Sequence, residues 1–173
     1  AGLAMFVAGL DTVEALAQEV DHPSRRDASP LDPGLIHLHH VPMGVVAQAF
    51  VAAIAATAAA APGGHALPAS VAAVAGVSMA LSACAGAMVS VLSGPASTSG
   101  SWAIAPPEAQ GMRLAFRSAW PPALAVAATL PVLAARAPLE AGDPAEGAAV
   151  TATLGVAVVF VLVCGWVRVR EDI

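Results

Sequence analysis

The chain predicts an all-α, polytopic integral membrane helical bundle with about five transmembrane segments, and three observations carry that prediction. Its 173 residues hold seven arginines and no lysine, and six of the arginines fall in three places: Arg25 with Arg26, Arg113 with Arg117, and Arg168 with Arg170. Long uncharged runs rich in Ala and Val separate those places, and basic residues concentrated in alternate connections mark the cytoplasmic loops. The composition is 58% apolar and 11% charged, with a mean hydropathy of +0.76, outside the usual balance of a soluble domain.

The chain reads as a single transmembrane domain over residues 1–173. The first span, about residues 1–20, is apolar for ten residues and then amphipathic. Asp11, Glu14, Gln18 and Asp21 recur at intervals of three and four and form a polar stripe, with Val13, Leu16, Ala17 and Val20 on the opposite face. The apolar run Ala1–Leu10 alone is too short for roughly 30 Å of hydrocarbon at about 1.5 Å per residue. This short run, together with Ala1 in place of Met and the stop just after Arg170, gives the expectation of a segment of a longer protein. A cytoplasmic connection follows over about 21–41, where Pro23, Pro30, Pro33 and Gly34 are expected to block a continuous helix.

The second span, about 42–61, ends at Pro62-Gly63-Gly64, and the third, about 68–94, returns after an outer loop of about 62–67 that has no Arg. Together they predict an antiparallel hairpin. In the third span Ser78, Ser82, Gly86, Ser90 and Gly94 recur every fourth residue, a small-residue ridge on which another helix can approach closely. Helix packing is the reading adopted for this ridge, with a substrate-lining role as the other.

A second cytoplasmic loop spans about 95–112, rich in Ser, Gly and Pro. The piece Gly111–Trp120 is basic and amphipathic, with Arg113 and Arg117 four apart, and belongs at the cytoplasmic interface. Pro121-Pro122 is expected to open the apolar part of the fourth span, about 113–135, which Pro131 interrupts. An outer loop of about 136–147 sets one Arg against Glu140, Asp143 and Glu146. The fifth span, about 148–167, returns to Trp166, Arg168 and Arg170.

Several chemistries are excluded. Without lysine there is no phosphate-gripping loop of the Gly-x-x-x-x-Gly-Lys-Ser/Thr type and no Schiff base. The net charge of −5 comes with no clustered basic face, so nucleic acid is not expected as a partner. Cys84 and Cys164 lie in apolar runs and read as small core residues. His37, His39 and His40, with His22 earlier, match no metal-ligand spacing in a proline-broken segment and read as polar loop residues rather than a metal site. No catalytic residue, cofactor-binding residue or metal ligand is assigned.

What remains is the block from Glu14 through Glu19, Asp21, Arg25 and Arg26 to Asp27. A solvated helix end anchored by arginines at the headgroups accounts for the basic pair. Carboxylates at a helix C-terminus oppose the macrodipole, however, and call for a partner. A substrate path through the membrane would run along Gln48, Thr57, Ser78 and Ser82, although small hydroxyls also satisfy their own helix backbone.

The stretch Leu10–Asp27, followed by a Pro-containing loop and His40-Val41-Pro42, resembles the permease subunits of actinobacterial ABC exporters. Pro106–Leu114 ahead of Trp120-Pro121-Pro122 is similar to them in the same way. The resemblance implies a multi-pass protein of the bacterial plasma membrane, surrounded by lipid and paired with a cytoplasmic ATPase subunit that holds ATP and Mg. A homodimer or pseudo-dimer of permeases is a further implication. Glu14, Glu19, Asp21, Arg25 and Arg26 would then lie at the contact with the ATPase. Five spans, the first incomplete, are fewer than a whole permease needs. Two alternatives stand beside this reading: part of a secondary transporter, with Asp11 or Glu14 essential, and a non-transporting membrane scaffold.

Overall fold

The computed structural model describes residues 2–22, 24, 28–61, 67–93 and 107–169. Among these the chain is about 90% helical, with no strand. In order the elements are α1 (Gly2–Thr12), α2 (Glu14–Asp21), α3 (Pro33–Ala60), α4 (Ala69–Ser93), α5 (Pro107–Val126), a 3₁₀ turn (Ala127–Thr129), α6 (Leu130–Ala141) and α7 (Glu146–Val169). Four stretches are long and apolar enough to cross a membrane: α3, α4, Ser118–Ala141 and α7.

The helix α4 is the axis of the bundle. Of its most apolar 18 residues 72% are buried, against 17% in α3 and 11% in α7. Its sequence explains this position: Ala, Gly, Ser and Cys let neighbouring helices approach closely, which is how helices associate where the solvent is itself apolar. It packs against α1, α3, α5, α6 and α7. The largest core cluster gathers Val13 and Leu16, Val41 of α3, Cys84, Met88 and Leu92 of α4, and Val167 of α7. By contrast Met43, Val46, Phe50 and Ile54 of α3, and Leu154, Val158, Val161 and Leu162 of α7, are exposed. Such a continuous apolar exterior suits lipid and not water.

Contacts fix the directions. Ala52 of α3 packs with Ala80, and Val41 with Met88, so α3 and α4 are antiparallel. Val71 meets Ala135, and Val89 meets Leu124, so the α5–α6 rod is antiparallel to α4 as well. Ala149 sits by Val71 and Val167 by Leu92, so α7 runs parallel to α4. The starts of α3 and α5 and the ends of α4 and α7 therefore share one end of the bundle. That end carries the backbone positions of Arg113 and Arg117 and the side chain of Arg168; Arg25, Arg26 and Arg170 lie outside the described residues.

Several boundaries differ from expectation. The segment 1–20 is not one of the four long helices. It breaks at Val13 (φ −107°, ψ 17°) into α1 and α2. The Thr12 hydroxyl donates to the carbonyl of Gly9 at 2.8 Å, and Val13 N–H reaches back only three residues, to Leu10. Both tighten the turn at the expense of the regular i to i−4 ladder. The two pieces still lie against the bundle, with Met5 packed by Ala52 and Leu16 by Val41.

The second span begins at Pro33, not at residue 42, and takes the second half of the expected cytoplasmic loop into helix. Asp32 supplies the reason: its Oδ1 accepts the N–H groups of Gly34 at 2.9 Å and Leu35 at 3.3 Å. It thereby caps a helix whose first residue is a proline preset for that place. Pro42 is carried inside the helix. The fourth span likewise runs on to Ala141, and Pro121 and Pro122 lie within α5 and do not open it. Pro131, which has no N–H, falls just after the 3₁₀ turn, where it breaks the ladder.

The expected outer loop of 136–147 shrinks to a tight turn between α6 and α7. Gly142 adopts φ +76°, and the N–H groups of Gly142 and Asp143 return to the carbonyls of Leu139 and Pro138. This is the left-handed helix end that glycine makes accessible. The α4 and α7 limits, Ala69–Ser93 and Glu146–Val169, lie within two residues of the spans read from sequence.

Candidate functional site

Of the charged block, α2 is the described part. Its inner face is anchored by Leu16, which is buried, and by Val20 packed against the same cluster. Asp11, Glu14, Gln18 and Asp21 are exposed on the outer face, and Glu19 is half-buried beside them. Gln18 Nε2 donates to Glu14 Oε1 at 3.4 Å. No basic residue occupies the last turn of α2, where Glu19 and Asp21 face the negative end of the helix dipole, whereas Glu14 lies in the first turn at the favourable end. The arrangement is an acidic blade fixed by its apolar edge to the core of the bundle. Arg25 and Arg26, the other half of this candidate, lie outside the described residues.

Next to the blade stands a pairing not foreseen from the sequence. Arg168, near the end of α7, places a guanidinium nitrogen 2.6 Å from Asp32 Oδ1. Gly34 lies directly below, and a Cβ there would run into the backbone carbonyl of Arg168. The end of α7 and the start of α3 thus touch through backbone as well as charge. The Asp32-Pro33 pair was the legible signal, since Asp before Pro is a helix-start signature. Its partner 136 positions away was not.

A second polar constellation lies deeper, at the break between α1 and α2. Gln48 of α3 is fully buried and points its Nε2 to Thr12 Oγ1 at 3.5 Å, while its Oε1 has no hydrogen-bond partner among the described residues. Gly9 makes room for it: a Cβ there would stand 3.2 Å from Gln48 Nε2. A buried amide facing a helix discontinuity is the kind of irregularity that membrane proteins tolerate only inside protein.

The other candidate residues separate. Ser78 and Ser82 are buried on α4, Ser90 is half-buried, and Gly94 lies outside the described residues. Gly86 faces α5 so closely that a Cβ would stand 2.6 Å from the carbonyl oxygen of Pro121. Thr57 is exposed, its hydroxyl returned to Ile54 O at 2.8 Å. His37 is buried, whereas His39 is exposed two residues on, and the His39 and His40 rings meet edge to face with centroids 6.0 Å apart. Among the described residues no group of His, Cys, Asp and Glu is placed to hold a metal. Cys84 and Cys164 are free thiols.

No protein-family model, curated protein or solved structure matches the chain. Its own geometry is therefore what bears on function. That geometry comprises an apolar-walled helical bundle, an acidic blade at the arginine-bearing end, and a buried polar break one helical layer further in.

Proposed function

We propose that the chain is a membrane-spanning permease subunit of an ABC-type exporter in a bacterial plasma membrane. A separate cytoplasmic nucleotide-binding subunit would hydrolyse ATP with Mg, and the permease would turn that subunit's closure into helix movement. The observation that carries this reading is the acidic blade. Glu14 and Asp21 are exposed and Glu19 half-buried on a short helix whose opposite face, through Leu16, is fixed in the core beside Val41 and Met88. A partner docked on the carboxylates would push on a lever rooted among α3 and α4. Asp21, exposed in the last turn of α2, sits at the unfavourable end of the helix dipole, where a partner that supplies cations would support it. The arginine-bearing end is the cytoplasmic one on the positive-inside rule, which puts the blade on the side where ATP is.

One observation favours a second reading, part of a secondary transporter. The break at Val13 beside buried Gln48 is a discontinuous helix of the kind that forms substrate and ion sites in such carriers.

The deciding experiment is purification of the full-length protein from its native host in mild detergent, with and without the combined Glu14→Ala, Glu19→Ala, Arg25→Ala and Arg26→Ala changes. The permease reading expects a stoichiometric ATPase subunit with the parent protein and its loss or uncoupling in the variant. Absence of an ATPase from both preparations overturns that reading and leaves the carrier or a non-transporting scaffold.

A further inference from the structure

Between α4, the 3₁₀ turn that joins α5 to α6, and α7 lies a cavity of about 330 Å³. Leu124, Leu130, Val159, Phe160 and Gly155 contribute to its wall, and every lining residue except Ser82 is Ala, Gly, Val, Leu or Phe. Its volume falls at the lower end of the range of small-molecule sites. Ser82, Ala127 and Gly155 lie near the middle of their respective spans, so the cavity sits at mid-depth in the bundle. Gly155 and Val159 are exposed, so it opens sideways toward the hydrocarbon.

The hydroxyl of Ser82 gives this cavity its one polar group. Thr12, Thr57, Thr129 and Thr151 each return their hydroxyl to a carbonyl of their own helix at 2.8 to 2.9 Å. Such back-bonding is the ordinary fate of a hydroxyl in a membrane helix. Ser78 and Ser82 are both buried on α4 with no partner for Oγ among the described residues, and of the two Ser82 lines the cavity. A buried hydroxyl left uncommitted calls for an explanation. Gly155 stands on the open side of the cavity, where a Cβ would meet nothing within 4 Å.

We propose that this cavity binds an uncharged lipophilic small molecule with one hydrogen-bonding group, which enters from the bilayer and engages Ser82 Oγ. The wall has no charge to receive an ion and one hydroxyl to receive one polar atom, so the chemistry of the lining selects that class. The inference deepens the permease reading, on which it rests only in naming the ligand as cargo.

The test titrates purified protein in lipid nanodiscs with N-phenyl-1-naphthylamine, an uncharged aromatic probe with a single N–H, and subtracts the signal of empty nanodiscs. The parent protein should show saturable binding. Ser82→Ala should weaken it about five-fold, the loss of one hydrogen bond. Gly155→Leu should obstruct the open side of the cavity and weaken binding more than Ser82→Ala does. Gly165→Leu, at another open glycine on α7 that does not line the cavity, should bind like the parent and shows that a leucine on this helix is tolerated. No saturable signal, equal binding by Gly155→Leu and parent, or equal loss in Gly165→Leu overturns the proposal. Binding in detergent that disappears in nanodiscs also overturns it, since a bilayer lipid then holds the cavity. The assay needs no ATPase, so failure here leaves the co-purification result standing, and the reverse.

Discussion

Asp32 and Arg168 stand 136 positions apart in the chain and meet at 2.6 Å, and the Asp32 oxygen that receives the guanidinium also caps α3 through Gly34 and Leu35. One carboxylate thus has two separable jobs. Losing an N-cap costs about 1 kcal/mol. The pair is nearly half exposed, at 43% and 47% for the two side chains, which limits it to under about 1 kcal/mol after solvent screening. Asp32→Ala should therefore lower stability by about 1–2 kcal/mol in detergent unfolding curves. Asp32→Asn keeps a competent cap and should cost less than half as much. If the two variants cost the same, the ion pair and not the cap is the dominant contact.

The approach of α5 to α4 depends on Gly86, where a methyl group would press on the Pro121 carbonyl at 2.6 Å. Backbone cannot rotate away as a side chain can. Gly86→Ala should cost about 1–3 kcal/mol, the range for overpacking. Gly165→Ala, where the new atom meets nothing, should stay within about 0.5 kcal/mol of the parent. Parallel denaturation of the two variants checks this, and an unaffected Gly86→Ala would mean that α5 packs less closely than described.

Gln48 offers a test of whether the polar break is structural or functional. Its Oε1 is buried without a partner, so replacement by an apolar residue of similar length removes a desolvated group at little cost. Gln48→Met should be neutral or slightly stabilising, whereas Gln48→Ala should cost about 2 kcal/mol or more through the cavity it leaves. A stable Gln48→Met protein that loses transport would favour the carrier reading.

Orientation is open to a labelling experiment. With Cys84 and Cys164 both changed to Ala, single cysteines at Ala28 and at Asp143 lie on exposed backbone at opposite ends of the bundle. A membrane-impermeant maleimide should label Asp143→Cys in intact cells and Ala28→Cys only after permeabilisation, as the positive-inside rule requires. The reverse pattern would put the acidic blade outside and remove its access to an ATPase.

The spans α4 and α7 were legible because each is an uninterrupted apolar run, bounded by Pro68 in one case and by Glu146 and Arg168 in the other. The start of α3 is hard to read because Pro33 looks like a helix breaker, whereas after Asp32 it is a favoured first residue. The break at Val13 was not legible. It depends on the Thr12 hydroxyl turning back to Gly9 and on a Gln48 that is 36 positions away. Periodicity did distinguish the two faces of α2, since Leu16 is buried and Glu14 exposed. Ser82 was legible as a polar position in a span, but the cavity beside it was not, because an empty volume is a property of several helices at once.

Gly34 and the Arg168 carbonyl also bear on the order in which the protein assembles. The start of α3 is synthesised more than a hundred residues before α7, and until α7 inserts, Gly34 lacks the Arg168 backbone against it and Asp32 lacks its cation. Insertion of α7 is then the event that joins its end to the start of α3, so a ribosome stalled before residue 168 holds a bundle that lacks this contact. A folding defect introduced at either residue should consequently appear late in biogenesis, as a fully inserted chain that membrane proteases still recognise.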